Sequence, residues 1–90
     1  MIRVESVLYK YGDYDTIYDA IKHYVDNLAN DNTLHICNFT YGSGYMIFTQ
    51  KYSANNYASA FVISYNSQRP IYLFKINGSW NQILLNGTVI

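Results

Sequence analysis

From Ile2 to Tyr9 apolar and polar residues alternate loosely, the two-residue period of a half-buried strand, and Tyr11-Gly12-Asp13 supplies the turn residues that close it. The period then lengthens. Ile17, Ala20, Ile21, Tyr24, Val25 and Leu28 recur at the three- and four-residue spacing that gathers side chains on one face of a helix. Thr16 stands where an N-cap hydroxyl is needed, and Asp19 places an acid in the first turn, next to the positive helix end. The spacing predicts a helix from Ile17 to Ala29. It should stop in Asn30-Asp31-Asn32, whose side chains compete for backbone hydrogen bonds.

After Thr33 the short period returns and stays. Runs at Leu34–Tyr41, Tyr45–Tyr52, Tyr57–Tyr65, Ile71–Ile76 and Trp80–Leu85 are rich in aromatic and β-branched residues, and turn formers fill every gap. The gaps are Gly42-Ser43-Gly44, Ser53 to Asn56, Asn66 to Pro70 and Asn77-Gly78, with Asn86-Gly87 leading to a very short last strand, Thr88 to Ile90. Connections this short join antiparallel neighbours. Asn77-Gly78 is the sharpest hairpin signal, because a two-residue type I′ turn requires positive φ at both central positions. Pro70 opens a strand, where its missing N–H costs least. The predicted fold is a single α+β domain over residues 1–90, one amphipathic helix packed on an antiparallel meander sheet of five to six strands.

Parity along the strands adds an expectation about assembly. Phe61, Ile63 and Tyr65 share a face opposite Ala60, Val62 and Ser64, and Tyr72, Phe74 and Ile76 oppose Ile71, Leu73 and Lys75. Both faces are therefore apolar, but one helix can cover only one of them. A subunit interface is expected on the other.

Composition narrows the function classes. Charged residues make up 13% of the chain and the formal net charge is zero, so the basic footprint of a nucleic-acid or membrane-surface binder is missing. Eleven tyrosines take the place of the charges. Tyr is a rigid amphipathic ring enriched at contact surfaces, which favours binding over catalysis. The opening Met1-Ile2-Arg3-Val4-Glu5 lacks the pattern of a secretory signal peptide, and no apolar run approaches the 18 or so residues of a spanning helix, so a soluble protein is expected.

Candidate chemistry is sparse. The single cysteine, Cys37, lies in the apolar run Leu34 to Phe39, where a buried thiol is expected, and His35 beside it is expected to be a hydrogen-bonded structural imidazole. His23 and His35 have no partner at metal-ligand spacing. Asp13, Asp15 and Asp19 do not match a calcium loop. No nucleophile turn occurs, and Gly42-Ser43-Gly44 lacks the helix of a phosphate loop, so neither an enzyme nor a cofactor or metal site is expected. Three Asn-x-Ser/Thr triplets, at Asn38, Asn77 and Asn86, do not imply glycosylation, since two coincide with hairpin turns. Rings beside turns are the best placed to meet a ligand, which nominates Tyr41 and Tyr45 around the first hairpin and Tyr52 and Tyr57 around the second. Flat rings beside Asn and Ser suit a saccharide, whose C–H faces stack while its hydroxyls hydrogen-bond.

The order of motifs carries a family resemblance. Thr16-Ile17-Tyr18-Asp19-Ala20-Ile21, then an apolar strand and a Gly-rich turn, then Tyr45-Met46-Ile47-Phe48-Thr49-Gln50-Lys51-Tyr52, and finally Ile71 to Ile76 followed by Asn77-Gly78-Ser79-Trp80-Asn81, together resemble the terminal head domains of tailed-bacteriophage fibres and receptor-binding proteins. The chain has no second Trp shortly after Trp80, a departure from that pattern. The resemblance implies a homotrimer at the virion tail tip that adheres to a bacterial surface saccharide or protein. It makes Trp80 a fold-defining ring. A structural tail-assembly module without a ligand is the alternative.

Overall fold

In the computed structural model, which describes residues 1–52, 56–64 and 70–85, helix α1 (Ile17–Asn27) starts where the sequence predicts. The Thr16 hydroxyl accepts from the Asp19 N–H at 3.2 Å, satisfying one of the donors that a helix start leaves without a partner. Ile17, Ala20, Ile21, Tyr24 and Val25 are buried on its inner face. Leu28 departs from the expectation. The helix ends at Asn27, Leu28 caps it with φ −117° and remains 56% exposed, and Ala29 takes the buried position instead.

The strands are β1 (Ile2–Tyr9), β2 (Leu34–Tyr41), β3 (Ser43–Tyr52), β4 (Tyr57–Ile63), β5 (Ile71–Ile76) and β6 (Ser79–Leu84). They form one sheet in the order β1-β2-β3-β4-β5-β6. Among the described residues, an α+β fold with one helix and six strands matches the expectation, but the sheet is not wholly antiparallel. β1 runs parallel to β2, in register from Ile2 opposite Leu34 to Tyr9 opposite Tyr41. The cause is the connection: between these strands the chain passes through α1, and a crossover of that kind carries it back to the end of the sheet where β1 began. The other four pairings are antiparallel. Asn77 (φ 50°) and Gly78 (φ 83°) both take the positive φ that a type I′ turn between β5 and β6 demands. Tyr65, the 53–55 part of the second hairpin loop, the 66–69 connection, and the Asn86-Gly87 turn with its short last strand lie outside the described residues.

Helix α1 covers one face of the sheet. Against it lie Cys37, Phe39 and Tyr41 of β2, Ile47 of β3, Ala60 and Val62 of β4 and Leu73 of β5, all buried. Tyr9 packs at the margin, edge-on to Tyr14 at 5.4 Å, and its buried hydroxyl has no hydrogen-bond partner among the described residues. An unpaired buried hydroxyl costs stability. Tyr9→Phe is therefore expected to leave the fold intact and to raise the free energy of unfolding by up to about 1 kcal/mol in denaturant titration, whereas a loss would mean that the hydroxyl has found a partner.

Candidate functional site

Two polar clusters tie the helix to the sheet, and sequence reasoning singled out neither. At the helix C-terminal end the Asp26 carboxylate accepts from Lys75 Nζ at 2.8 Å and from Trp80 Nε1 at 3.1 Å, while the Asp26 carbonyl accepts from Lys51 Nζ at 3.3 Å. Lys75 Nζ also sits 5.6 Å from the Trp80 ring centroid, within range for a cation–π attraction. Both lysines are 8% exposed. Burying an ammonium group demands a partner of opposite charge, and one aspartate serves helix, β5 and β6 together. Strand parity carried the signal, since Lys75 shares the helix-facing side of β5 with Leu73. Trp80 is thus an element of the fold.

The second cluster joins Glu5 of β1, Tyr24 of α1, and His35 and Cys37 of β2. His35 Nδ1 lies 2.7 Å from Glu5 Oε1 and 3.0 Å from the Tyr24 hydroxyl, and the Tyr24 hydroxyl also donates to Glu5. Cys37 Sγ donates to the Tyr24 oxygen at 3.4 Å. On the far side of the ring, His35 Nε2 accepts from the Asn30 N–H at 3.0 Å. That acceptor role assigns the proton to Nδ1, so the neutral imidazole donates to the Glu5 carboxylate. Burial pushes the Glu5 carboxyl up, but the hydrogen bonds from Tyr24 and His35 and the nearby Arg3 guanidinium outweigh it and hold the carboxyl below its ordinary value. Burial raises the Tyr24 phenol, as do its bonds to Cys37 and Glu5. It raises the Cys37 thiol as well, and a wholly buried thiol kept protonated is a poor nucleophile. Cysteine, histidine and carboxylate thus meet in one cluster, yet both imidazole nitrogens are committed to structural bonds. The His35 expectation, a hydrogen-bonded structural ring, is what the geometry shows.

The nominated tyrosines are divided among three settings. Tyr41 is 6% exposed, and its hydroxyl receives the Gly12 and Tyr14 N–H groups at 3.3 Å each and donates to the Tyr14 carbonyl. It anchors the β1–α1 connection and is not presented to solvent, because it shares the helix-facing side of β2 with Cys37 and Phe39. Tyr45 is half-buried and lines a hollow of about 460 Å³ with Asn38, Gly44, Met46 and Ile63. Tyr52 and Tyr57 do come together. They are directly opposed across β3 and β4 and border a cleft of about 420 Å³ whose lining also includes Asn32, Gln50, Ser59, Tyr72 and Phe74.

This cleft has the chemistry of a shelf for flat, hydroxylated ligands. Tyr72 and Phe74 stack with centroids 5.3 Å apart and planes inclined by 22°, and the Tyr57 hydroxyl is held by Asn77 Oδ1 at 2.7 Å. Gln50, Asn32 and Ser59 supply amides and a hydroxyl at its margin. Sequence reasoning missed Tyr72 and Phe74, which reach the site only through the β4–β5 register, Phe61 opposite Tyr72 and Ser59 opposite Phe74.

Among the described residues, no group of three His, Cys, Asp or Glu side chains is placed to hold a metal ion, and no helix is long and apolar enough to cross a membrane. Compared with protein-family models, curated proteins and solved structures, the chain has no match.

Proposed function

We propose that the chain is a binding module that acts by contact, without turnover, and that its ligand is a saccharide of a bacterial surface taken by the Tyr52–Tyr57–Tyr72–Phe74 cleft. The observation that carries this reading is the meeting, in one open cleft, of four aromatic rings with amide and hydroxyl groups and no carboxylate, Lys51 and Lys75 also contributing to its lining. Sugar rings stack their C–H faces on aromatic planes, and their hydroxyls exchange hydrogen bonds with amides. In the setting that the motif order resembles, the domain is the receptor-binding head of a phage tail fibre, and several linked copies multiply a weak single-site affinity.

A glycan array probed with the folded protein tests it. The expected result is selective retention on one class of bacterial saccharide, with Tyr52→Ala lowering binding at least tenfold while the thermal midpoint is unchanged. Tyr52 is 62% exposed, so its truncation should cost the fold little. Tyr41→Ala is the contrasting case, expected to lower the midpoint first. Saccharide binding that survives both Tyr52→Ala and Tyr57→Ala would move the site elsewhere.

A further inference from the structure

The face of the sheet turned away from α1 has no cover within the described residues. It consists of alternate residues of all six strands, from Ile2 to Leu8 on β1 through to Ser79 to Ile83 on β6, and none of them is charged. Among the described residues, every Lys, Arg, Asp and Glu stands on the helix side, on the helix or in a connection. One apolar rung crosses the whole sheet: Val4 opposes Ile36, Ile36 opposes Phe48, Phe48 opposes Phe61, Phe61 opposes Tyr72 and Tyr72 opposes Ile83. Val4 is 77% exposed and Phe48 36%. A continuous apolar surface of this extent marks an interaction site.

We infer that this face binds the same face of a second copy of the chain, sheet against sheet, about a two-fold axis running along the strands between β3 and β4. Three observations select a second copy. The face is free of charge, so nothing on it repels an identical face or selects a charged partner. The rung matches its own reversal at the centre and at the ends, where the axis sets Phe48 against the partner's Phe61 and Val4 against the partner's Ile83, and between them it sets Ile36 against the partner's Tyr72. The area is sufficient: six strands span about 24 Å and the facing residues run about 20 Å along them, so two faces bury roughly 1,000 Å² or more, the threshold of a specific interface. Two twisted sheets pack in this way about 10 Å apart, with their inner side chains interdigitated. Tyr72 belongs to the rung, and Tyr52, Tyr57 and Phe74 stand on the same face, so a second copy on this face and a saccharide in the cleft exclude one another, and the pairing does not rest on the saccharide reading. In a three-fold assembly each flat face would meet two inclined neighbours and be covered less completely.

Sedimentation equilibrium with the full chain tests the pairing. The expected mass is about twice 10.4 kDa at micromolar concentration. Phe48→Lys should raise the dissociation constant at least tenfold, and so should Phe61→Glu, while an equimolar mixture of the two recovers the pair, because the new charges face each other. Val4→Lys provides a version that cannot fail by misfolding, since its side chain makes little contact within one copy. It too should shift the equilibrium toward the single chain, with its circular dichroism unchanged. A mass of 10.4 kDa at 100-fold higher concentration overturns the inference. So does a three-fold mass, or a pair that tolerates both Phe48→Lys and Val4→Lys. Saccharide binding is read separately, by adding Tyr52→Ala to the Val4→Lys chain, whose face is left uncovered.

Discussion

Replacing Asp26 with alanine is expected to lower the free energy of unfolding by about 2–3 kcal/mol, because it leaves the buried Lys75 ammonium without its counter-charge. For a domain of this size that is a fall in Tm of roughly 10–20 °C. The Asp26 carboxylate holds Lys75 and Trp80 at once, so Asp26→Asn, which keeps an acceptor but not the charge, should recover part of the loss. The pair is partly open to solvent on the aspartate side, with the Asp26 side chain 28% exposed, which places the cost at the low end for a buried ion pair. The double variant Asp26→Leu with Lys75→Met should lie much closer to wild type than Asp26→Ala alone, since removing both charges leaves neither one stranded. A loss below about 0.5 kcal/mol for Asp26→Ala would match an exposed surface pair and contradict the burial of Lys75.

Tyr24→Phe is the second large effect. The ring packs as before, but Glu5 loses a donor, Cys37 loses its acceptor and His35 loses a neighbour within 3.0 Å, at an expected cost of about 2 kcal/mol. The same cluster sets the pH dependence. The folded-state pKa of Glu5 is depressed, so its contribution to stability is present above the ordinary carboxylate range, about pH 4.3, and is lost as pH falls. The Tyr24 phenol is raised, so its contribution is complete below about pH 10 and is lost as pH rises beyond it. Equilibrium unfolding as a function of pH should therefore show a plateau with an acid limb that Glu5→Gln flattens and an alkaline limb that Tyr24→Phe flattens. Identical profiles for wild type and Tyr24→Phe above pH 10 would remove the phenol from that account.

Local pattern made much of this fold legible. The Ile17–Val25 stripe announced the helix, and the Asn77-Gly78 turn announced the last hairpin, because both depend on neighbours within a few residues. The direction of β1 was also within reach, since a strand followed by a helix and another strand implies a crossover, but the many short connections downstream favoured an antiparallel reading throughout. The polar clusters were out of reach for a different reason. Asp26 and Lys75 are 49 positions apart, and which acid meets which buried base is decided by the angle at which the helix lies on the sheet. At the candidate site, Tyr52 and Tyr57 were legible because they flank one hairpin loop. Tyr72 and Phe74 arrive through strand register. Tyr41 shows the limit of reasoning from turns alone, since proximity to a turn does not say which face a ring occupies.

The proposed function rests on what a single copy leaves uncovered. The helix side spends its polar groups on internal bonds, whereas the opposite face and its Tyr52–Tyr57 cleft retain rings and amides open to another molecule. The most direct measurement is an NMR titration of the isotopically labelled, folded protein with a panel of bacterial surface polysaccharides. The account predicts shifts concentrated on Tyr52, Tyr57, Tyr72, Phe74 and the neighbouring Gln50 and Ser59. A panel that leaves those resonances unmoved, or shifts that centre on Glu5, Tyr24, His35 and Cys37, would contradict it.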